Sequence, residues 1–283
     1  MKKLISLLLV LVMAASFTAC GQDKSETKGA EGGTEAAAES GSSEKDTWVM
    51  AINATFPPFE SIDEGTDNYV GIDIDIANHI AEKMGKTLDI QDMQFSALVP
   101  TMQSGRADII VSGISPTEER KEVLDFTDSY YYPMNSIICA KGSNYTELSQ
   151  LEGKTIGVSM GTSYAEIAKS VKDANVSELD NTPLVVQDIL SGRCDAGIFD
   201  ATQAAVFVQE NEGLEMHIIE SEITEADTFA IALPKGSEDV EKVNEILAEM
   251  NEDGTMHDIL VKYMGEDSTA QYEEMVKNLS IAK

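Results

Sequence analysis

The chain predicts an α/β fold of two similar lobes, each a mostly parallel sheet flanked by helices. Three observations carry this. Short apolar runs alternate with helical patterns from Trp48 to Lys283, the arrangement that places parallel strands beneath covering helices. The turn Ser104-Gly105-Arg106-Ala107-Asp108 recurs as Ser191-Gly192-Arg193-Cys194-Asp195. Each copy leaves a helical pattern and opens a strand, so two βα units share one plan; two ordinary turns would leave the same trace, because Ser-Gly is a common helix stop. The roughly 236 residues of this segment suit one large or two modest domains.

The amino terminus comes first. Lys2-Lys3 precedes an apolar run from Leu4 to Ala15, too short to span a bilayer, which takes about 20 residues. With small residues leading to Cys20, residues 1–19 read as an export signal. Phe17-Thr18-Ala19-Cys20 resembles a bacterial lipobox, with Phe17 where leucine is usual; this implies that Cys20 is lipidated. A plain secretory signal with a chance cysteine is the alternative. Residues 20–46 lack aromatic and large aliphatic side chains after Cys20. They cannot bury enough surface to fold and form a flexible acidic tether.

The elements then follow in order. Trp48 to Ile52 reads as strand, Ile72 to Met84 as helix, Leu88 to Ile90 as strand, Ala97 to Gln103 as helix and Asp108 to Val111 as strand. Strands at Ser136 to Ala140 and Thr155 to Val158 lead to helices at Ser163 to Val171 and Pro183 to Leu190. A strand at Ala196 to Phe199, a helix at Ala201 to Glu210 and a strand at Thr228 to Leu233 come next. Glu238 to Met250 and Met256 to Tyr263 close the pattern as helices.

Composition narrows the function. The formal net charge is −30; loss of residues 1–19 removes Lys2 and Lys3 and no acid, moving it to −32. Such a chain is repelled by nucleic acid and by anionic membrane surfaces. Cys139 and Cys194 lie far apart in apolar runs and read as two buried free thiols, although export permits a bridge. No residues show zinc-site spacing, and neither a metal nor a cofactor is expected.

Arg120 stands out among the three arginines. It closes the hydroxyl-rich run Ser112-Gly113-Ile114-Ser115-Pro116-Thr117-Glu118-Glu119. A guanidinium among serines suits a carboxylate; pairing with Glu118 or Glu119 on the surface is the alternative. Met160-Gly161-Thr162-Ser163 precedes a helix whose unpaired N–H groups can accept an anion, unless Thr162 or Ser163 simply caps it. Phe199-Asp200 ends a strand of the second unit. Asp200 could take an ammonium or cap the helix from Ala201. Ligands bind beyond the carboxyl ends of strands in open α/β sheets, where all these segments fall. Together they suit an α-amino acid: Arg120 with Thr162 and Ser163 for the carboxylate, Asp200 for the ammonium, and Phe56 with Phe95 against the side chain. Phe95 alone is more often core than pocket wall.

These segments, in order, resemble the type II periplasmic-type solute-binding proteins of polar amino acid ABC transporters, solute-binding family 3. The carriers are Asn53-Ala54-Thr55-Phe56-Pro57-Pro58-Phe59-Glu60, Gly71-Ile72-Asp73-Ile74-Asp75-Ile76-Ala77, Ser112 to Lys121, Asp125-Phe126-Thr127 with Tyr130-Tyr131, Met160 to Ser163, and Asp195 to Asp200. The resemblance implies lobe 1 at 47–134 plus 228–283 and lobe 2 at 135–227, joined by two crossover hinge strands and closing over the ligand. It implies a ligand site of Asn53, Phe56, Phe95, Ser112, Gly113, Ser115, Arg120, Ser159, Thr162, Ser163, Phe199 and Asp200, without catalysis. The partners implied are an amino acid and the transmembrane subunits of an ABC permease with its ATPase. The receptor would be a monomer tethered outside the membrane through Cys20. Many members have Asp where Asn53 stands, some have Lys at the place of Ser159, and some His or Gln at that of Phe199. The losses point toward a neutral, polar or moderately apolar ligand.

Two rival readings remain. Gly157-Val158-Ser159-Met160-Gly161 matches the G-x-S-x-G nucleophile elbow, which would make Ser159 a hydrolase nucleophile with Asp200 and with His217 or His257. Relatives of the same fold act on prephenate or arogenate as dehydratases; that chemistry needs a placed acid or base, for which Glu60 and Glu118 are the candidates.

Overall fold

The computed structural model describes residues 46–220 and 223–279. The expected signal 1–19, Cys20 and the tether as far as Lys45 lie outside the described residues.

Two five-stranded sheets are built on one plan. In the first, β1 (Thr47–Ile52) lies between β5 (Thr87–Asp92) and β6 (Ile109–Ile110), parallel to both. β13 (Phe229–Pro234) and β7 (Leu124–Tyr131) extend it antiparallel. In the second, β9 (Thr155–Ser159) lies parallel between β10 (Asn175–Leu179) and β11 (Ala196–Asp200). β8 (Asn135–Ala140) and β12 (Leu214–Ile218) extend it antiparallel. A small sheet of β2 (Thr55–Phe56), β3 (Glu60–Ile62) and β4 (Tyr69–Val70) follows β1. The chain leaves the first sheet after Tyr131 and returns at Phe229.

Helices cover the faces of both sheets. α1 (Ile72–Lys83), α2 (Leu98–Gln103), α7 (Val240–Asp253) and α8 (Thr255–Met264) belong to the first lobe. The apolar stripe of α1 (Ile72, Ile76, Ile80) shares a core with β1, α7 and α8. α4 (Ser163–Ser170), α5 (Thr182–Leu190) and α6 (Ala201–Glu210) pack on the second sheet. Two helices were not foreseen: the single turn α3 (Glu118–Lys121) and the last, α9 (Glu266–Asn278). Of the strands missed from sequence, β2, β3 and β4 are only two or three residues long, too short for a pattern, while β7, β10 and β12 lie at sheet edges, where half-solvated residues blur the apolar pattern.

The repeated turn has the same geometry in both lobes. Gly105 and Gly192 are left-handed, at φ 70° and 73°. Asp108 accepts from Val49 N at 2.9 Å and donates its own N–H to Val49 O at 2.8 Å. Asp195 makes the matching pair with Thr155, again at 2.9 and 2.8 Å. Each aspartate thus pins the incoming strand to the central one. Arg106 and Arg193 point outward, bonded to Ser104 and Asp188.

Where the chain crosses between sheets, an aromatic cluster is packed. Tyr131 and Phe229 stack at 5.7 Å, Phe59 meets Tyr131 edge-on at 4.8 Å, and Tyr272 of α9 stacks on Tyr131 at 4.5 Å. The Tyr272 hydroxyl accepts from Tyr132 N at 3.0 Å, which ties α9 to the first crossover. The Ser129 and Thr228 hydroxyls bond each other at 2.6 Å and link the two crossovers. Phe59 is wholly buried and touches three other rings. Phe59→Ala is expected to cost about 3–5 kcal/mol, read as a lowered midpoint in denaturant unfolding.

Candidate functional site: the interlobe cleft

A cavity lies between the lobes, at the kind of inter-domain cleft where small-molecule sites form. Its first-lobe wall is Asn53, Phe56, Phe95, Ser112, Gly113, Ser115 and Arg120; its second-lobe wall includes Ser159, Thr162, Ser163 and Phe199. Topology explains the convergence. Asn53 follows β1, Ser112 lies just beyond β6, Ser159 ends β9, and Phe199 is next to last in β11. All stand at carboxyl ends of strands, the place open α/β sheets leave for ligands.

Arg120 is half-buried in α3, where the Thr117 hydroxyl caps the turn by accepting from Arg120 N at 3.4 Å. Its guanidinium bonds neither Glu118 nor Glu119. Nη1 donates to Ser115 O at 2.7 Å, and Nη2 donates across the cleft to Gly161 O at 2.9 Å. The guanidinium carbon sits 5.4 Å from the Phe95 ring centre, a cation–π distance. Burial pushes its pKa down to about 10, with Glu119 opposing, so it remains cationic at neutral pH. Phe95 is therefore both wall and platform for the charge.

Two glycines permit the close approach. Gly161 has φ 80°, and a Cβ there would lie 3.1 Å from Ser96 Cα of the other lobe. Gly113 has φ 51°, and a Cβ would meet Phe56 Cε1 at 2.5 Å. The Phe56 ring therefore lies directly on backbone.

The start of α4 carries no side-chain cap. The Thr162 hydroxyl instead donates to Ser159 O at 2.7 Å. The helix end thus faces the cavity with its amide donors uncapped, as an anion site requires.

Asp200 does not line the cavity. It caps α6, its Oδ1 accepting from Gln203 N at 2.9 Å. Its Oδ2 is buried and unpartnered. Burial pushes the pKa up to about 7 against the pull of the Gln203, Thr202 and Ala201 amides. An orphaned buried acceptor between two cavity-lining neighbours, Phe199 and Gln203, suits an incoming cationic donor.

Asn53 lines the cavity with both polar ends in use: Nδ2 donates to Met93 O at 2.8 Å, and Oδ1 accepts from the Thr55 hydroxyl at 2.7 Å. Four lining residues escaped sequence reading: Tyr164, Thr182, Ile198 and Gln203. Gln203 also donates to Thr55 O across the cleft at 3.2 Å. A signal existed for it, since three residues after an N-cap returns to the same helix face.

The catalytic rivals lack their partners. His257 bonds Glu273 at 2.7 Å between α8 and α9, and His217 sits on β12 beside Glu215. Neither histidine lines the cavity around Ser159. Glu118 is exposed beside Lys121 and Glu60 is fully buried, and neither lines the cavity. Cys139 and Cys194 are buried and free.

A two-lobed α/β fold with such a cleft is the form that solute-binding proteins take. Residues 48–266 match the family described as bacterial extracellular solute-binding proteins, family 3. The chain belongs to that family, whose members bind solutes outside the cytoplasm rather than transform them. It is 33% identical over 266 residues to the arginine-binding extracellular protein ArtP of Bacillus subtilis, covering 93% of this chain and 98% of the relative. It is 29% identical to the L-cystine-binding protein TcyJ of Escherichia coli, covering 80% and 85%. Among solved structures, an ancestral arginine-binding protein bound to glutamine superposes with TM-score 0.72 at 35% identity, covering 79% of this chain and all of that one. The class is thus the substrate-binding protein of an amino acid ABC transporter, which hands its cargo to a permease.

Asp200 supplies a test in the ligand-free protein. Its folded pKa is raised, so the stability it allows is full below about 4 and is lost as pH rises through about 7, on the order of 4 kcal/mol at about 1.4 kcal/mol per unit. Asp200→Asn, which keeps a good cap, is expected to raise the ligand-free unfolding midpoint at slightly alkaline pH and to flatten its decline with pH.

Proposed function

We propose that the cleft binds a neutral L-amino acid, polar or moderately apolar, and that closure of the lobes delivers it to the permease. The observation that carries this is the charge of the wall: among the described residues, Arg120 is the one charged side chain that lines the cavity, and no carboxylate does. A basic ligand side chain would bring a second cation into a desolvated space without a counter-ion, which is costly. A dicarboxylate would meet no lysine at Ser159. A zwitterion fits: its carboxylate against Arg120 and the α4 amides, its ammonium against Asp200 Oδ2. The hydroxyls of Ser159 and Thr182 and the amide of Gln203 offer neutral hydrogen bonds, while Phe56, Phe95, Ile198 and Phe199 offer apolar surface.

The relatives agree on amino acids and differ on which one. ArtP is named for arginine and TcyJ for L-cystine, and the ancestral arginine-binding protein was solved with glutamine. A change from Asp to Asn at position 53 is a physical route from a basic to a neutral ligand.

The same reading makes residues 47–134 plus 228–283 one lobe and 135–227 the other, closing as a hinge that ligand contacts to both sides favour. It makes Cys20 the lipid anchor and 20–46 the tether of a monomeric receptor held at the outer membrane–water boundary of the cell membrane.

A calorimetric panel of the twenty amino acids tests the ligand class. A neutral amino acid should bind most tightly; tightest binding of L-arginine would overturn the reading. Arg120→Ala should remove about 1.5–3 kcal/mol, roughly tenfold to a hundredfold in affinity, as expected for a charged hydrogen bond. Asp200→Asn should also weaken the best ligand, and equal affinity for its 2-oxo analogue would refute the ammonium contact.

A further inference from the structure

Glu60 is the acid that the cleft leaves unused. It lies on β3, wholly buried, behind the cavity wall rather than in it. Its Oε1 accepts from the Ser112 hydroxyl, whose oxygen in turn accepts from Asn53 N at 3.0 Å. Beside it Asp73, in the first turn of α1, is equally buried. Asp73 Oδ2 accepts from Gly113 N at 2.7 Å, and Oδ1 accepts from the Tyr130 hydroxyl at 2.8 Å. The two carboxyl groups are neighbours, each acting on the titration of the other. Glu60 Oε2 is buried and has no partner; a proton on it would have only Asp73 beside it to bond.

Two adjoining carboxylates removed from water do not both ionise. The donors decide which one holds the charge. Asp73 receives two hydrogen bonds and sits at the positive end of α1; Glu60 receives one, at Oε1, and none at Oε2. Burial and the Asp73 charge push the Glu60 pKa well above the usual range, while burial pushes Asp73 to about 6. The other titratable groups against the pair are Tyr130 from β7, pushed further up by burial, and Asp92 at the end of β5, whose Oδ1 accepts from Ala54 N at 2.9 Å. Among the described residues no lysine, arginine or histidine is ion-paired with either acid.

We propose that Glu60 and Asp73 hold one proton between them, Glu60 Oε2–H donating to Asp73, and that this bridged pair positions Ser112 and Gly113 in the cleft wall. The inference rests on reading that wall as an amino-acid site. Ser112 Oγ is committed to Glu60 and Gly113 N–H to Asp73, while Phe56 presses on Gly113 from the cleft side. Loss of the shared proton leaves two like charges in a dry space. Either acid, in moving away, carries a cleft residue with it. Ligand affinity should therefore fall under alkaline conditions for a reason that lies outside the cavity.

Calorimetric titration with L-glutamine, on the wild type, Glu60→Gln and Glu60→Ala, tests this. An amide at position 60 donates to Asp73 and accepts from Ser112 at every pH. Glu60→Gln should thus bind like the wild type at about pH 6 and outperform it at about pH 9 by at least about fivefold, the lower end of coupling between sites. Glu60→Ala should be weak at both. The ligand ammonium and Asp200 titrate in wild type and Glu60→Gln alike, so the ratio of the two isolates Glu60. Parallel profiles for these two proteins would overturn the proposal. A second measurement needs neither ligand nor variant: carbon-13 titration of the Glu60 carboxyl should show it protonated at neutral pH, and an ordinary carboxylate titration there refutes the shared proton. Absence of L-glutamine binding to the wild type at any pH would count against that ligand alone, with the carboxyl titration still deciding the pair.

Discussion

The desolvated guanidinium of Arg120 is the constraint around which the cleft is organised. A cation in that position must be satisfied with or without cargo. The protein does so with two carbonyl oxygens, one from each lobe, and the face of Phe95. None of these carries a full negative charge, so the guanidinium keeps an unneutralised charge for a carboxylate. An ion pair with Glu118 or Glu119 would have satisfied it at the expense of the ligand. The one-turn helix α3 and its Thr117 cap aim the side chain inward and leave those two acids exposed. Because one carbonyl belongs to Gly161, the same group also links the lobes.

Around that cation the site stores unfavourable arrangements. Asp200 is buried with an unpartnered oxygen, and the α4 amide end is uncapped. Behind the wall, two acids adjoin in a space without a cation. Each costs stability in the free protein, the usual trade between binding sites and folding. The offset lies elsewhere, in the aromatic cluster at the crossovers and in the matched aspartate pins of the two sheets. These contacts lie at the crossovers and the sheet ends, from which the cleft residues are placed. Selectivity then follows from what the wall lacks. On the proposed reading, the two ends of a zwitterion would meet charged groups, Arg120 and Asp200, and its side chain only neutral ones.

Much of this was legible in the chain. Arg120 was identifiable because arginine is rare here and this one lies outside the repeated turn. Eleven of the twelve expected site residues line the cavity; Asp200 sits just behind it as the cap of α6. Edge strands β7, β10 and β12 were not legible, since polar residues on solvated edges erase the period-two signal. Tyr164, Thr182, Ile198 and Gln203 were missed because nothing local separates them from ordinary helix and strand residues. They reach the cavity only when the second lobe is laid across the first.

The sequence by itself determined the alternation of strands and helices, the repeated turn that builds two lobes on one plan, and the residue types at the strand ends. These are local properties, set by periodicity, turn chemistry and the hydrogen-bonding capacity of each side chain. The tertiary structure alone decided which of those groups are already satisfied. It turned Asn53 into a braced wall residue and spent Thr162 on Ser159. It left Asp200 Oδ2 without a partner and set Glu60 against Asp73, although thirteen positions separate the two in the chain. Charge and hydrogen-bond state depend on burial and on neighbours brought from distant segments, and those exist only once the lobes are folded together.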